Sequence, residues 1–252
     1  MSRSPLRSLA RWALSRWPRR VRAGEARGLR MDLRRASAWY ARGTNEPAIQ
    51  RAVAEHVRPG GVFFDVGANV GFFSLIAARA AGPAGRIIAF EPVPANADAI
   101  RRNARINRFD SISVVQAAVA SAPGEMDLVL SEHPGGAALA LAPPPDASGR
   151  IRARVVSIDD LVGRGQAPPP TLIKVDVEGV EVEALRGMAE TARTHRPIII
   201  CELDDTSPAA LARKVAEVEG LFAQWGYAAS RLEEAYGGSV VHLLARPATA
   251  QP

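Results

Sequence analysis

The stretch Val62-Phe63-Phe64-Asp65-Val66-Gly67-Ala68-Asn69-Val70-Gly71-Phe72 decides how this chain folds. Its first five residues form a short run with the apolar, aromatic composition of a buried strand, and Phe72 to Ala81 follows as a helix. Between them Gly67 and Gly71 allow a tight turn. The same rhythm continues outward, with strands at Arg86 to Phe90 and Ile112 to Gln116 and a helix from Pro94 to Asn107. Alternation with short connections specifies a parallel sheet wound with helices on both faces. Glu125 to Leu130 and Arg150 to Val156 interrupt it as strands flanking the Gly/Pro-rich segment His133 to Gly149. Alternation resumes with strands at Leu172 to Val175 and Pro197 to Cys201, helices at Val180 to Ala189 and Pro208 to Trp225, and closing strands near 227–231 and 239–244. The expected fold is α/β: a doubly wound, mostly parallel seven-stranded sheet with a β-hairpin insertion and an N-terminal helical arm.

At 252 residues the chain is long for one domain and short for two, so we expect a basic arm over 1–35 and one catalytic domain over 36–252. Cys201 is the only cysteine, which excludes an internal disulfide framework. The net charge of +6 suggests a polyanionic partner until it is located. Eleven arginines against Glu25 and Asp32 give the first 35 residues a charge of +9, which leaves the body at −3. Ser4-Pro5 begins a short helix with Leu6, Leu9, Ala13, Leu14 and Trp17 on one face, and residues 1–20 are the one contact to an anionic membrane that the sequence offers. No apolar run reaches spanning length, so a cytoplasmic protein, peripheral at most to the inner membrane, is expected.

In a doubly wound sheet, ligands bind at the carboxyl ends of the strands. Glu91, which ends the second strand about 20 residues past the glycines, sits where a carboxylate binds ribose hydroxyls. A dinucleotide fingerprint needs a second glycine where Asn69 stands, so a pyrophosphate fits poorly. Asp65 would repel a phosphate and suits an ammonium group. S-adenosyl-L-methionine meets both conditions, and an NAD(P)-dependent oxidoreductase is the competing reading. Cofactor contacts are expected from Asp65, Gly67, Asn69, Gly71, Glu91, Pro92, Ala118, Val119 and Asp176.

The run D-V-G-A-N-V-G-F-F-S-L, the A-F-E-P that follows it, Leu172 to Gly179 and Pro197 to Glu202 together resemble the FkbM family of class I S-adenosylmethionine-dependent methyltransferases. Glu46-Pro47, Ser157-Ile158-Asp159-Asp160-Leu161 and Glu181 extend the resemblance. It implies a Rossmann-like fold and O-methylation of a small-molecule hydroxyl on a sugar, glycolipid, polyketide or other secondary metabolite. Methylation of nucleic acid is disfavoured by the acidic body and the lack of an N-P-P-[FY] motif. Methyl transfer from a sulfonium needs an aligned acceptor oxygen and a group to take its proton. Asp176 is the first choice, with Glu178, Glu181 and Lys174 beside it. Tyr40, Glu46 and His133 are expected on the acceptor side, and no metal is expected. His56, His195 and His242 receive no role.

Overall fold

The computed structural model describes residues 18–36, 38–131, 137–139, 147–232 and 240–248. The helix expected near Ser4 and the loop residue His133 lie outside the described residues. The chain runs as β1 (Arg19–Arg20), β2 (Arg30–Met31), α1 (Ala38–Arg42), α2 (Pro47–His56), β3 (Val62–Val66), α3 (Phe72–Ala81), β4 (Arg86–Phe90), α4 (Pro94–Asn107) and β5 (Ile112–Val115). β6 (Ala118–Val119), β7 (Gly124–Ser131), β8 (Ala137–Leu139), β9 (Ala147–Val156) and α5 (Ile158–Gly163) follow. The last elements are β10 (Leu172–Val175), α6 (Glu181–Arg186), α7 (Ala189–His195), β11 (Ile198–Asp204), α8 (Pro208–Gln224), β12 (Tyr227–Arg231) and β13 (Val240–Pro247).

Seven strands form the main sheet in the order β12-β13-β11-β10-β3-β4-β5. The five from β11 to β5 are parallel, and only β13 and β12 run against their neighbours. Both faces are covered, which is why the central strands read as continuous apolar runs. One face carries Phe63, Ile87, Leu172, Ile200 and Leu244 against α2 and α3, through Ile49, Val53, Leu75 and Ile76. The other carries Phe64, Val66, Ile173, Val175, Ile199 and Cys201 against Leu185, Met188, Val215 and Phe222 of the C-terminal helices. The expected insertion is a separate four-stranded sheet in the order β6-β9-β7-β8, in which β7 and β9 pair antiparallel.

Two elements differ from expectation for identifiable reasons. The helix expected across Val180 to Ala189 is split into α6 and α7 around Gly187, where an added Cβ would come within 2.1 Å of the Ala120 carbonyl oxygen. Close packing of that backbone onto the β6 end takes precedence over helical continuity. In addition, the second half of the basic arm belongs to the core. β1 and β2 pair antiparallel, Val21, Leu29 and Met31 are buried with the α2 and α3 residues, and Asn103 and Asn107 of α4 accept hydrogen bonds from the Asp32 and Arg30 amides.

Met31 is fully buried, so Met31→Ala is expected to lower the unfolding free energy by about 2–5 kcal/mol in urea denaturation. A change within experimental error would mean that this segment adds nothing to the fold.

Candidate functional site

The turn after β3 is held open by backbone conformations that favour glycine. Gly67 (φ 82°) and Gly71 (φ 85°) adopt left-handed geometry, and Asn69 joins them at φ 52°. A Cβ on Gly67 would lie 1.7 Å from the Asp176 carbonyl oxygen, so only glycine lets the ends of β3 and β10 close on each other. The Asp176 amide donates to the Val66 carbonyl at 2.9 Å across the same gap. Glu91, buried at the end of β4, fixes the turn: its carboxylate accepts from the Asn69 amide at 2.8 Å and the Val93 amide at 2.9 Å. Burial pushes its pKa up to about 7 against these hydrogen bonds.

Around this turn lies a solvent-open cleft lined by the ends of β3, β4 and β10 and by the insertion sheet. Of the residues expected to bind a cofactor, Gly67, Asn69, Glu91, Pro92, Ala118, Val119 and Asp176 line it together. Asp65 lies beneath the turn, wholly buried, and Gly71 begins α3 against Ile100. Sequence reasoning missed Met126 and Leu128, which the insertion sheet contributes as an apolar wall. Their period-2 spacing on β7 was the available signal.

Charge is concentrated beside the cleft. Register places Asp65 of β3 opposite Lys174 of β10, and Lys174 opposite Ile200 of β11. Lys174 is 1% exposed; its Nζ lies 2.6 Å from Asp176 Oδ2 and 4.6 Å from the centre of the Phe73 ring. Burial works against its charge, but Asp176, Asp65, Glu46 and Glu202 more than offset that and raise its pKa, so it stays an ammonium. Ser74 Oγ donates to Asp65 Oδ2 at 2.5 Å, while Asp65 Oδ1 is buried with no hydrogen-bond partner. Burial raises the pKa of Asp65, and Lys174 draws it down.

The remaining sequence-derived residues separate. Tyr40 packs its ring 4.9 Å from that of Phe72, and burial followed by the charges of Glu46 and Asp176 raises its pKa. Glu46 stands at the head of α2 and, with Tyr40, is within electrostatic reach of Lys174 and Asp176. Glu178 is exposed at the cleft wall. Glu181 is buried elsewhere, 3.0 Å from Lys214 of α8, and there it ties α6 to α8. His242, given no role from sequence, is buried in this region with its Nε2 2.8 Å from Glu202 Oε2. Among the described residues no helix is long and apolar enough to cross a membrane.

Because the folded protein holds the Glu91 proton more tightly than the unfolded chain, this proton contributes stability at low pH that is lost as pH rises through about 7. Glu46 and Glu181 act in the same direction, and His242, whose pKa is lowered by burial, acts against them. Urea unfolding is therefore expected to show a fall in stability between about pH 5 and pH 8 that is shallower in Glu91→Gln. Parallel wild-type and variant curves would contradict an ionisation at this site.

Residues 65–229 match the methyltransferase FkbM domain family. The chain is 28% identical over 155 residues to the hexuronic acid methyltransferase AglP of Haloferax volcanii, covering 62% of this chain and 61% of that one. It is also 28% identical over 223 residues to the 31-O-demethyl-FK506 methyltransferase FkbM of Streptomyces tacrolimicus, covering 77% of this chain and 83% of the relative. The crystal structure of a methyltransferase FkbM from Methylobacillus flagellatus KT shares the fold with a TM-score of 0.52 at 17% identity, over 83% of this chain and 55% of that one. The chain thus spans a little under two thirds of the archaeal relative. With the glycine turn, Glu91 and the carboxylate-lined strand end all inside the matched region, the chain belongs to the FkbM family of S-adenosylmethionine-dependent methyltransferases.

Proposed function

We propose that this protein transfers a methyl group to a hydroxyl oxygen of a small polar molecule such as a sugar, glycolipid, polyketide or related metabolite. The observation that carries this reading is the unpartnered Asp65 Oδ1, buried beneath a glycine turn that borders an open cleft. A buried carboxylate oxygen without a donor is unfavourable unless a ligand supplies one. S-adenosylmethionine, when bound, supplies an ammonium donor and an electrophilic methyl on a sulfonium. Asp65 suits that ammonium, directly or through a water, and Glu91 suits ribose hydroxyls with the capacity its two amide bonds leave. Ala118, Val119, Met126 and Leu128 offer apolar surface for a base.

On the acceptor side, Asp176 lines the cleft and is fixed by Lys174. A carboxylate pinned at one oxygen can align an acceptor hydroxyl and take its proton as the new C–O bond forms. Tyr40 and Glu46 lie within electrostatic reach of Asp176 and would border the acceptor. Glu178, exposed at the cleft wall, is suited to contact with the acceptor rather than to proton transfer. The two relatives support a hydroxylated small-molecule acceptor: one is named for a hexuronic acid and the other for the 31-O position of FK506.

The test is transfer of label from methyl-radiolabelled S-adenosylmethionine into a small-molecule extract of the source organism, with wild type and Asp65→Asn compared. Losing one charge-assisted hydrogen bond of about 1.5–3 kcal/mol should weaken S-adenosylhomocysteine binding about 10- to 150-fold and abolish labelling at low cofactor concentration. A labelled product whose methyl survives mild alkali and is released as methyl iodide by hot hydriodic acid, as that of an ether is, supports hydroxyl methylation. Equal labelling by wild type and Asp65→Asn, or release of the label as methanol, would overturn it.

A further inference from the structure

A cluster of ionisable side chains near Asp176 comes from three elements distant in sequence. Glu202 of β11 and His242 of β13 are register partners on antiparallel strands, and Glu46 reaches them from the turn ahead of α2. One oxygen of each carboxylate and one ring nitrogen of His242 lie within 4.8 Å of one another. Val175 pairs with Cys201 on parallel strands, so Asp176 and Glu202 follow side by side, about 4.8 Å apart in the sheet, which joins this cluster to the cleft.

Three features of the cluster point to a ligand. Glu46 holds a left-handed φ of 43° at the head of α2, yet its side chain caps none of that helix's free amides. Its Oε1 accepts from Asn45 Nδ2 at 2.8 Å, and its Oε2 is buried with no hydrogen-bond partner. His242 is 2% exposed on a strand whose neighbouring positions are apolar, where burying an imidazole is unfavourable without a polar task. Lys174, the buried cation of the same face, is already committed to Asp176 at 2.6 Å.

We propose that Glu46, Glu202 and His242 bind a divalent transition-metal cation at the acceptor end of the cleft. Two carboxylate oxygens and one imidazole nitrogen suit Mn²⁺, Fe²⁺ or Zn²⁺ better than Mg²⁺ or Ca²⁺, which favour all-oxygen sets. Three protein ligands leave coordination positions open to a ligand. The inference rests on the methyltransferase reading for its consequence: an acceptor hydroxyl in an open position would be both oriented and made more acidic beside Asp176. It also gives Glu46, His242 and Glu202 a common role that ordinary core packing does not explain.

The test titrates Mn²⁺ into chelator-stripped, full-length protein, with free Mn²⁺ followed by its paramagnetic resonance signal. S-adenosylhomocysteine affinity is measured on the same samples. One Mn²⁺ per chain is expected for wild type, with at least about tenfold weaker binding in His242→Ala and Glu202→Gln and cofactor-product affinity preserved. No stoichiometric uptake by wild type, or equal uptake by both variants, overturns the proposal. If the strand variants also lose S-adenosylhomocysteine, Glu46→Gln, which lies outside the sheet, decides by the same two criteria. Mn²⁺ binding without any S-adenosylhomocysteine binding by wild type would leave the metal site standing and sink the methyltransferase reading instead.

Discussion

The ammonium of Lys174 lies wholly inside the protein, under the carboxyl ends of β3 and β10, and the arrangement of the site follows from keeping it there. An isolated charge at such depth costs several kcal/mol, so it persists only with opposite charge close by. Asp176 supplies that charge at 2.6 Å, Asp65 stands opposite in register, and the Phe73 ring closes the side toward α3. Each of these partners is anchored by the fold. Phe73 and Ser74 come from the first turn of α3, and Asp176 is held by its amide bond to Val66. The strand ends thus hold two acids and one base in fixed positions, and the glycine at position 67 is what allows them to approach.

Two environments meet at Asp176. On the cleft side the surfaces are backbone turns and small apolar residues, Ala117, Ala118, Val119 and the Met126 and Leu128 wall. On the other side, toward α1 and α2, the surfaces are ionisable: Tyr40, Glu46, Glu202 and His242. Burial, followed by the neighbouring carboxylates, raises the pKa of Glu46 and Glu202 above the ordinary carboxyl range.

How much of this could be read from the sequence depended on how far apart in the chain the partners lie. The strands from β3 to β5 and the turn at 67–71 were legible almost to the residue, because a buried parallel strand is written as an apolar run and a left-handed turn as glycine. Asp65, Asn69 and Glu91 were legible because their relation is set within a single strand-turn-helix-strand unit. By contrast, Glu202 meets His242 only through the antiparallel register of β11 on β13, and no local pattern encodes that pairing. Glu181 shows the reverse failure: spacing placed it with Asp176, but the first turn of α6 swings it to Lys214, 33 residues ahead. The two-residue strands β1 and β2 were too short to give any periodicity, and so residues 18–35 read as part of a basic arm.

On the function proposed above, the glycine turn and Asp65 form a site for S-adenosylmethionine and not for a dinucleotide. Isothermal titration of the full-length protein with S-adenosylhomocysteine and, separately, with NAD⁺ tests it most directly. Saturable, one-to-one heat is expected with S-adenosylhomocysteine and none with NAD⁺. Tight NAD⁺ binding with no S-adenosylhomocysteine signal would contradict it.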